Sequence, residues 1–254
     1  MAEPFQVTID AEIEPDPNDE KEQDLMDLLH HIYTLILDGE VHIAPIKPPQ
    51  RVLDLGAGTG IWAVGFADQY PSSEVVGNDL SSIQSKWVPP NRQFEIDGFE
   101  PEWCYAPSFD YIYGRELAGS RFIRDFPRLC KQAFSHLRPG GYFEVQSFTT
   151  DIFSDEGSTE KAPYTKQVVA LLQGASVKFG KPMRDLDKWP TTMRDAGFTG
   201  VVCKIVKAPA SPRAKDAKQK KIERFLQAHR AQSVPAYTEY QLMLYYLGFW
   251  GGTR

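Results

Sequence analysis

Sulfhydryls are scarce in these 254 residues: Cys104, Cys130 and Cys203 are the only cysteines, and they lie far apart. No Cys-x-x-Cys pair exists, which argues against a structural zinc site or a disulfide framework. The expected state is three reduced, partly buried thiols. No apolar run approaches the roughly 18 residues that span a membrane. The first twenty residues, MAEPFQVTIDAEIEPDPNDE, are acidic and lack the basic-then-apolar order of a signal peptide. These absences point to an intracellular protein, cytoplasmic or nuclear, with no membrane partner. Basic residues are outnumbered, 28 against 34, for a net charge of −6. That balance argues against broad nucleic-acid binding, which needs a basic footprint, while tolerating a small cationic ligand. No internal repeat is visible.

What remains is ordinary globular composition, with 42% hydrophobic and 24% charged residues. Residues 1–18 carry Pro4, Pro15, Pro17 and many acids, and read as a disordered acidic arm. Residues 19–50 read as a helix and linker: Leu25, Leu28, Leu29, Ile32, Leu35 and Ile36 have helical spacing, Gly39 stops the helix, and Pro45–Pro49 is stiff. Residues 51–207 form the core. Strands are expected at Arg51–Leu55, Glu74–Asn78, Gln93–Ile96, Tyr111–Tyr113 and Tyr142–Gln146, with a sixth at Gly200–Val206. Helices are expected at Ile61–Tyr70, Pro127–Leu137, Lys161–Phe179 and Lys188–Ala196. Arg138-Pro-Gly-Gly141 should turn the chain after the second of these. Alternation of strand and helix predicts an α/β fold, mostly parallel, with helices on both faces. Residues 208–254 read as a helical, aromatic extension. Its basic stretch Lys215–Arg224 is a nuclear address or a solvated helix face, and Asp216 and Glu223 interrupt it.

The strongest chemical signal is Val52-Leu-Asp-Leu-Gly-Ala-Gly-Thr-Gly60. A strand delivers Asp54. Gly56, Ala57, Gly58 and Gly60 then let the backbone turn tightly and approach a ligand, where a helix begins with its N–H groups facing outward. The spacing is G-x-G-x-G, not the G-x-G-x-x-G of a nicotinamide site. A nucleoside bearing an amino acid suits it better than a dinucleotide. Asp79, followed by Leu80, ends the second strand 19 residues after Gly60, where an acid accepts from ribose hydroxyls. Asp97-Gly98 ends the third strand, placed for an adenine amino group or as a plain surface turn.

The glycine loop, Asp79, Asp97 and Leu137-Arg-Pro-Gly-Gly141 closely resemble class I methyltransferases, and most closely the fungal LaeA-like (UMTA-like) family. Further matching stretches are His30-His31, Leu37-Asp-Gly39, Ala44-Pro45-Ile46, Gly60-Ile-Trp62, Asp79-Leu-Ser, Ile83-Gln84, Trp87-Val-Pro-Pro90, Phe94-Glu-Ile-Asp97, Ala118-Gly-Ser120 and Ala196-Gly-Phe198. The resemblance implies a Rossmann-like methyltransferase fold with an N-terminal helical lid, and S-adenosyl-L-methionine as cofactor. It implies a cofactor site of Asp54, Gly56, Ala57, Gly58, Gly60, Asp79, Leu80, Gln84, Asp97, Gly98 and Arg115. Two departures stand out: Gly98 replaces the second acid of a pair, and the chain ends soon after Leu247-Gly-Phe-Trp250, as though its C-terminal lid were short. The implied function is methyl transfer to a small-molecule secondary metabolite. The alternatives are a LaeA-like regulator acting with a protein partner, or a non-methylating step, such as a pericyclic one, on the same fold.

Methyl transfer from a sulfonium needs alignment and desolvation first, and a base only if the acceptor loses a proton. Beyond strands four and five lie Tyr113, Arg115, Glu116, Gln146 and Ser147. Arg115 would hold the cofactor carboxylate or pair with Glu116. Glu116 is the carboxylate to nominate as base. His31 is a second candidate, on a helix that would cross the cofactor mouth, with a structural role as the alternative; Tyr33 is weighed in the same way. The acceptor pocket is expected from Tyr111–Phe122, Gln146–Phe153 and Lys161–Phe179, lined by Tyr113, Gln146, Phe122, Phe148, Phe153 and Tyr164. Those aromatics would otherwise simply fill the core. No metal ligand set is expected.

Overall fold

The computed structural model describes residues 18–85, 89–106, 109–117, 123, 125–149, 157–161, 163–178, 186–209 and 216–250. Residues 1–17 of the acidic arm, the Ala118–Ser120 motif, Trp87 and Val88, Phe122 and Phe153 therefore lie outside the described residues.

Helix α1 spans Glu20–Ile36. Asp19 caps it by accepting from the Glu22 amide at 2.7 Å, and Glu20 and Glu22 place negative charge at the positive end of the helix dipole. Asp38 and Gly39 end it in the left-handed region, at φ 58° and 94°. The core then follows as β1 (Arg51–Leu55), α2 (Ile61–Gln69), β2 (Glu74–Asp79), β3 (Arg92–Ile96), β4 (Phe109–Arg115), α3 (Phe126–His136) and β5 (Leu137–Gln146). Asp125 caps α3 by accepting from the Arg128 amide, and Pro127 occupies its first turn, where no N–H is needed.

All five strands pair in parallel, in the order β3-β2-β1-β4-β5. The connections leave β1 in opposite directions, so a crevice opens at the C-terminal ends of β1 and β4, where ligands of open α/β sheets bind. On one face Val52, Val75, Tyr111 and Tyr113 pack against Trp62, Ala63 and Phe66 of α2. On the other, Leu53, Leu55 and Ile112 pack against Phe126, Leu129 and Ala133 of α3. Helices α4 (Pro163–Lys178), α5 (Trp189–Asp195) and α6 (Ala217–Trp250) follow. Among the described residues no helix is long and apolar enough to cross a membrane.

Several expectations need correction. Gly200–Val206 is not a strand: residues 201–209 have no regular structure, and Val202 and Ile205 are 86% and 87% exposed. β-Branched composition makes extended chain favourable, but a strand needs a neighbour to take its hydrogen bonds, and none is there among the described residues. Arg138-Pro-Gly-Gly141 does not separate helix from strand. It lies inside β5 as a bulge, with Gly140 at φ 85°, since Leu137 to Tyr142 runs opposite only Phe109 to Tyr111. The basic stretch is not a wholly solvated face. It enters α6, where Ile222 and Glu223 are buried and Lys218 bonds Asp38 at 2.6 Å. Of the cysteines only Cys130 is buried, its thiol pushed up to about 12 by desolvation; Cys104 and Cys203 are exposed.

Candidate active site

The glycine loop is built by backbone strain that only glycine relieves. Gly56, Gly58 and Gly60 take φ values of 64°, 56° and 79°. A Cβ on Gly60 would stand 2.1 Å from the Phe94 ring, which also lies against Gly77. The loop thus closes onto β3 as well as onto β1. Its backbone is braced by side chains. Asp79 Oδ2 accepts from the Gly58 amide at 2.8 Å, and Oδ1 from the Ser81 amide at 2.9 Å. The Gln84 amide donates to the carbonyls of Gly58 (2.7 Å) and Ser81 (2.9 Å). Two residues expected to touch ligand therefore also shape the loop. Beyond β3, Asp97 accepts from the Gly98 amide and is exposed, while Leu80 is 65% exposed and packs toward Gly98. Together they form an open shelf beside the loop.

At the ends of β1, β4 and β5 the side chains are polar and crowded. Asp54 is buried, its Oδ2 has no hydrogen-bond partner among the described residues, and its carboxyl is pushed up to about 8. Desolvation is the main cause. The Arg115 guanidinium opposes it, Asp79 adds to it, and Arg92 opposes it. Arg115 is held by neutral groups: Nε and Nη2 donate to Gln146 Oε1 at 3.2 and 3.1 Å, and Nη1 meets His30 Nδ1 at 3.0 Å. His30 is pushed down to about 4 by burial, then by Arg115 and His31, so it is a neutral acceptor. Of the two roles open to Arg115, pairing with Glu116 is not the contact found among the described residues. Arg115 instead stacks over the Tyr33 ring at 4.4 Å.

Glu116 adopts φ 56°, a left-handed conformation costly for a residue with a side chain. Its Oε1 accepts from the Tyr33 hydroxyl and from the Phe148 amide. Desolvation lifts its carboxyl to about 6, against the opposing effects of Tyr33, the Phe148 amide and Arg115. It therefore ties α1 to the chain leaving β5. Tyr33 is raised well above the ordinary phenol by burial and by Glu116.

Helix α1 covers this site. Asp27 Oδ1 accepts from Thr59 Oγ1 at 2.6 Å, and Met26 Sδ would lie 3.3 Å from a Cβ on Gly58. Met26, His30 and Tyr33 thus form the inward face of the helix. His31 is not on it: its ring meets Phe225 of α6 edge-on at 4.6 Å. The nominated histidine and the one that reaches Arg115 are neighbours, 100° apart on the helix. Of the expected pocket residues, Tyr113 is fully buried, stacked on Trp62 at 3.8 Å, with its hydroxyl on Gln146 Oε1 at 2.9 Å. Phe148 packs 4.9 Å from Tyr33 and belongs to the α1–α6 cluster. Tyr164 stands 81% exposed on α4 and is not brought to the other groups. Ser147 Oγ is buried without a partner among the described residues.

Glu144 was missed. It accepts from the Ile43 and Ala44 amides, the Tyr111 hydroxyl and the Gln146 amide. Through it the linker after α1 is pinned to β5, next to Gln146. Nothing in a lone glutamate within a strand marks that role.

An acid with an unpartnered oxygen and a guanidinium held by neutral groups face one crevice, beside a left-handed glycine turn. This donor set suits the amino-acid end and sulfonium of S-adenosylmethionine, which carry charges of both signs. Fold and site define a class I, S-adenosylmethionine-dependent methyltransferase. The methyltransferase domain family model matches residues 26–203. Methyltransferase pytC of Aspergillus terreus is 36% identical over 88% of this chain and 69% of its own length. The secondary metabolism regulator laeA of Aspergillus fumigatus is 33% identical over 86% of this chain and 59% of its own. Among solved structures, the complex of the Haloferax volcanii Trm112 methyltransferase activator with a methyltransferase aligns over 84% of this chain and 90% of that one. Its TM-score is 0.51 at 16% identity, a likeness of fold. The chain belongs to the methyltransferase domain family.

Proposed function

We propose that this protein transfers the methyl group of S-adenosylmethionine to a small-molecule acceptor of fungal secondary metabolism. The observation that carries the reading is the Asp54–Arg115 pair under α1. It offers complementary charges to a zwitterionic, cationic ligand in a site already closed to water on one side. When bound, the cofactor supplies the electrophilic methyl group. The chain's own residues orient and enclose it: Arg115 and Asp54 fix the amino-acid end, the glycine loop and Asp79 the nucleoside, and Asp97 and Gly98 the base. Helix α1 excludes water. Glu116 and Tyr33 sit beyond β4, where a proton leaving the acceptor would be taken up, with Glu116 as its final holder. The name of pytC supports an enzyme of this kind. The names of the laeA relatives support a second reading, a regulator working with a protein partner, and one of them, from Emericella nidulans, is named as a protein-methionine methyltransferase.

The experiment is metabolite and protein profiling with methyl-labelled methionine, comparing a deletion strain with its parent. A labelled small molecule lost on deletion supports the proposal. Label lost only from protein supports the regulatory reading. No change in either sinks methyl transfer as the cellular role.

A further inference from the structure

Strands β4 and β5 set a row of polar side chains on one face of the sheet. Tyr111, Tyr113 and Arg115 alternate along β4, and Glu144 and Gln146 along β5, with Tyr113 opposite Glu144 and Arg115 opposite Gln146. Tyr113 and Gln146 are 0% and 6% exposed, so their polar atoms need defined partners. The Gln146 carboxamide turns its two ends to different neighbours. Oε1 accepts from the Tyr113 hydroxyl at 2.9 Å, from Arg115 Nε at 3.2 Å and from Arg115 Nη2 at 3.1 Å. Nε2 donates to Glu144 Oε1 at 2.6 Å. A reversed amide would set its N–H groups against the guanidinium and its oxygen against a carboxylate, so Glu144 selects the direction. Glu144 is held in turn: the Ile43 and Ala44 amides and the Tyr111 hydroxyl donate to its Oε2 at 3.0, 2.8 and 2.9 Å.

The consequence falls on Arg115. Its Nη1 donates to His30 Nδ1 at 3.0 Å, and its guanidinium carbon lies 4.4 Å from the centre of the Tyr33 ring. Among the described residues, its hydrogen bonds all go to neutral groups. They leave part of its five-donor fork for a ligand. A carboxylate at position 146 would pair with the fork and offset its charge. A carboxamide fixes the side chain and leaves the charge in place. The strand's carboxylate stands two residues back, at Glu144, where it serves the linker and the amide but not the guanidinium.

We propose that Glu144 and Gln146 are positioning residues for cofactor recognition: Glu144 directs the Gln146 carboxamide, and that carboxamide holds Arg115 through a neutral oxygen, so that the site selects ligands bearing a carboxylate. Gln146 thus serves the cofactor and not the acceptor pocket. The proposal rests on the reading in which Arg115 receives the cofactor's carboxylate, and the experiment separates the two. Calorimetry compares S-adenosylhomocysteine with its decarboxylated analogue, which keeps the nucleoside, the sulfur and the amine. The wild type should prefer S-adenosylhomocysteine at least about tenfold, the scale of one hydrogen bond to a charged group. Arg115→Met should remove that preference. So should the exchange Glu144→Gln with Gln146→Glu, which keeps the composition but moves the carboxylate onto Arg115. The exchanged chain should melt close to the wild type and bind the decarboxylated analogue as the wild type does. Gln146→Met, which adds no charge but takes the acceptor from Arg115, should lower the preference too, and it carries the test if the exchanged chain does not fold. A preference lost in Arg115→Met but kept in the exchanged chain, or in Gln146→Met where that chain does not fold, overturns the proposal and leaves the reading of Arg115 intact. Equal weakening of both ligands in the folded exchanged chain also overturns it, since that is what a purely structural role would give. No preference in the wild type, or one that survives Arg115→Met, overturns both.

Discussion

Asp54 makes cofactor affinity a function of pH. Its carboxyl stands at about 8 without ligand, while an exposed aspartate sits near 3.8. Raised acids favour the folded state when protonated. The contribution is therefore full below about 4 and is lost as pH climbs through 8, so the unliganded protein should unfold more easily at pH 8 than at pH 5. A ligand whose cationic end lies against Asp54 reverses the preference, because it favours the carboxylate. At pH 7, one unit below the raised value, binding must first remove a proton at a cost of about 1.4 kcal/mol, and at pH 6 of about 2.7 kcal/mol. Affinity should consequently rise nearly tenfold from pH 6 to pH 7 and level off above 8. Calorimetry in two buffers of different ionisation enthalpy reads this directly: close to one proton should be released per cofactor bound at pH 6.5. The cofactor's own amino group titrates near 8, so the decisive comparison is with Asp54→Asn, whose affinity should be flat between pH 6 and 7. A wild type with no proton release over this range would refute the placement of positive charge at Asp54.

Other outcomes follow from named contacts. Gly58→Val should abolish cofactor binding, because a branched side chain is strained at φ 56° and meets Met26; calorimetry with the folded variant checks it. Gly60→Ala should cost about 2–3 kcal/mol of stability in a denaturant titration, since the Phe94 ring it strikes is itself wedged against Gly77. Tyr113→Ala should lose about 3–5 kcal/mol of folding stability, as a core residue does; retained stability with lost turnover would return Tyr113 to the pocket. Glu116→Gln should remove a rise in kcat/KM through about pH 6 if Glu116 takes the acceptor's proton; a wild-type profile flat across that pH leaves Glu116 only its anchoring bonds. Exchange of residues 25–37 should slow on adding cofactor, and equal exchange would argue against α1 as a lid.

The elements that the sequence revealed are those whose cause is local. A strand, a glycine turn and a helix in succession need only their own residues, so β1, the loop and α2 were legible almost to the residue. So was the start of α1 near residue 19, because its apolar spacing is local to the helix, whereas the Asp19 cap emerges only from the structure. What was not legible depends on partners far away in sequence. Val201–Val206 has strand composition, but a strand exists only beside a neighbour, and composition cannot say whether one is present. The choice between His30 and His31 turns on which side of α1 faces α6. Leu28, Ile32 and Leu35 defined that apolar side, and His31 lies three residues after Leu28 and four before Leu35, squarely within it. His30 lies four after Met26 and three before Tyr33, on the side that covers Gly58 and Glu116. The periodicity was therefore sufficient to choose, once the apolar stripe is taken to seek another helix and not the cofactor. The lid reading changes for the same reason. The stripe is buried against Ile222 and Leu226, and Glu144 holds the linker at Ile43 and Ala44. Helix α1 cannot swing alone on that linker. Any opening must break Tyr33 from Glu116 and Asp27 from Thr59, and must either carry α6 along or break the α1–α6 contact.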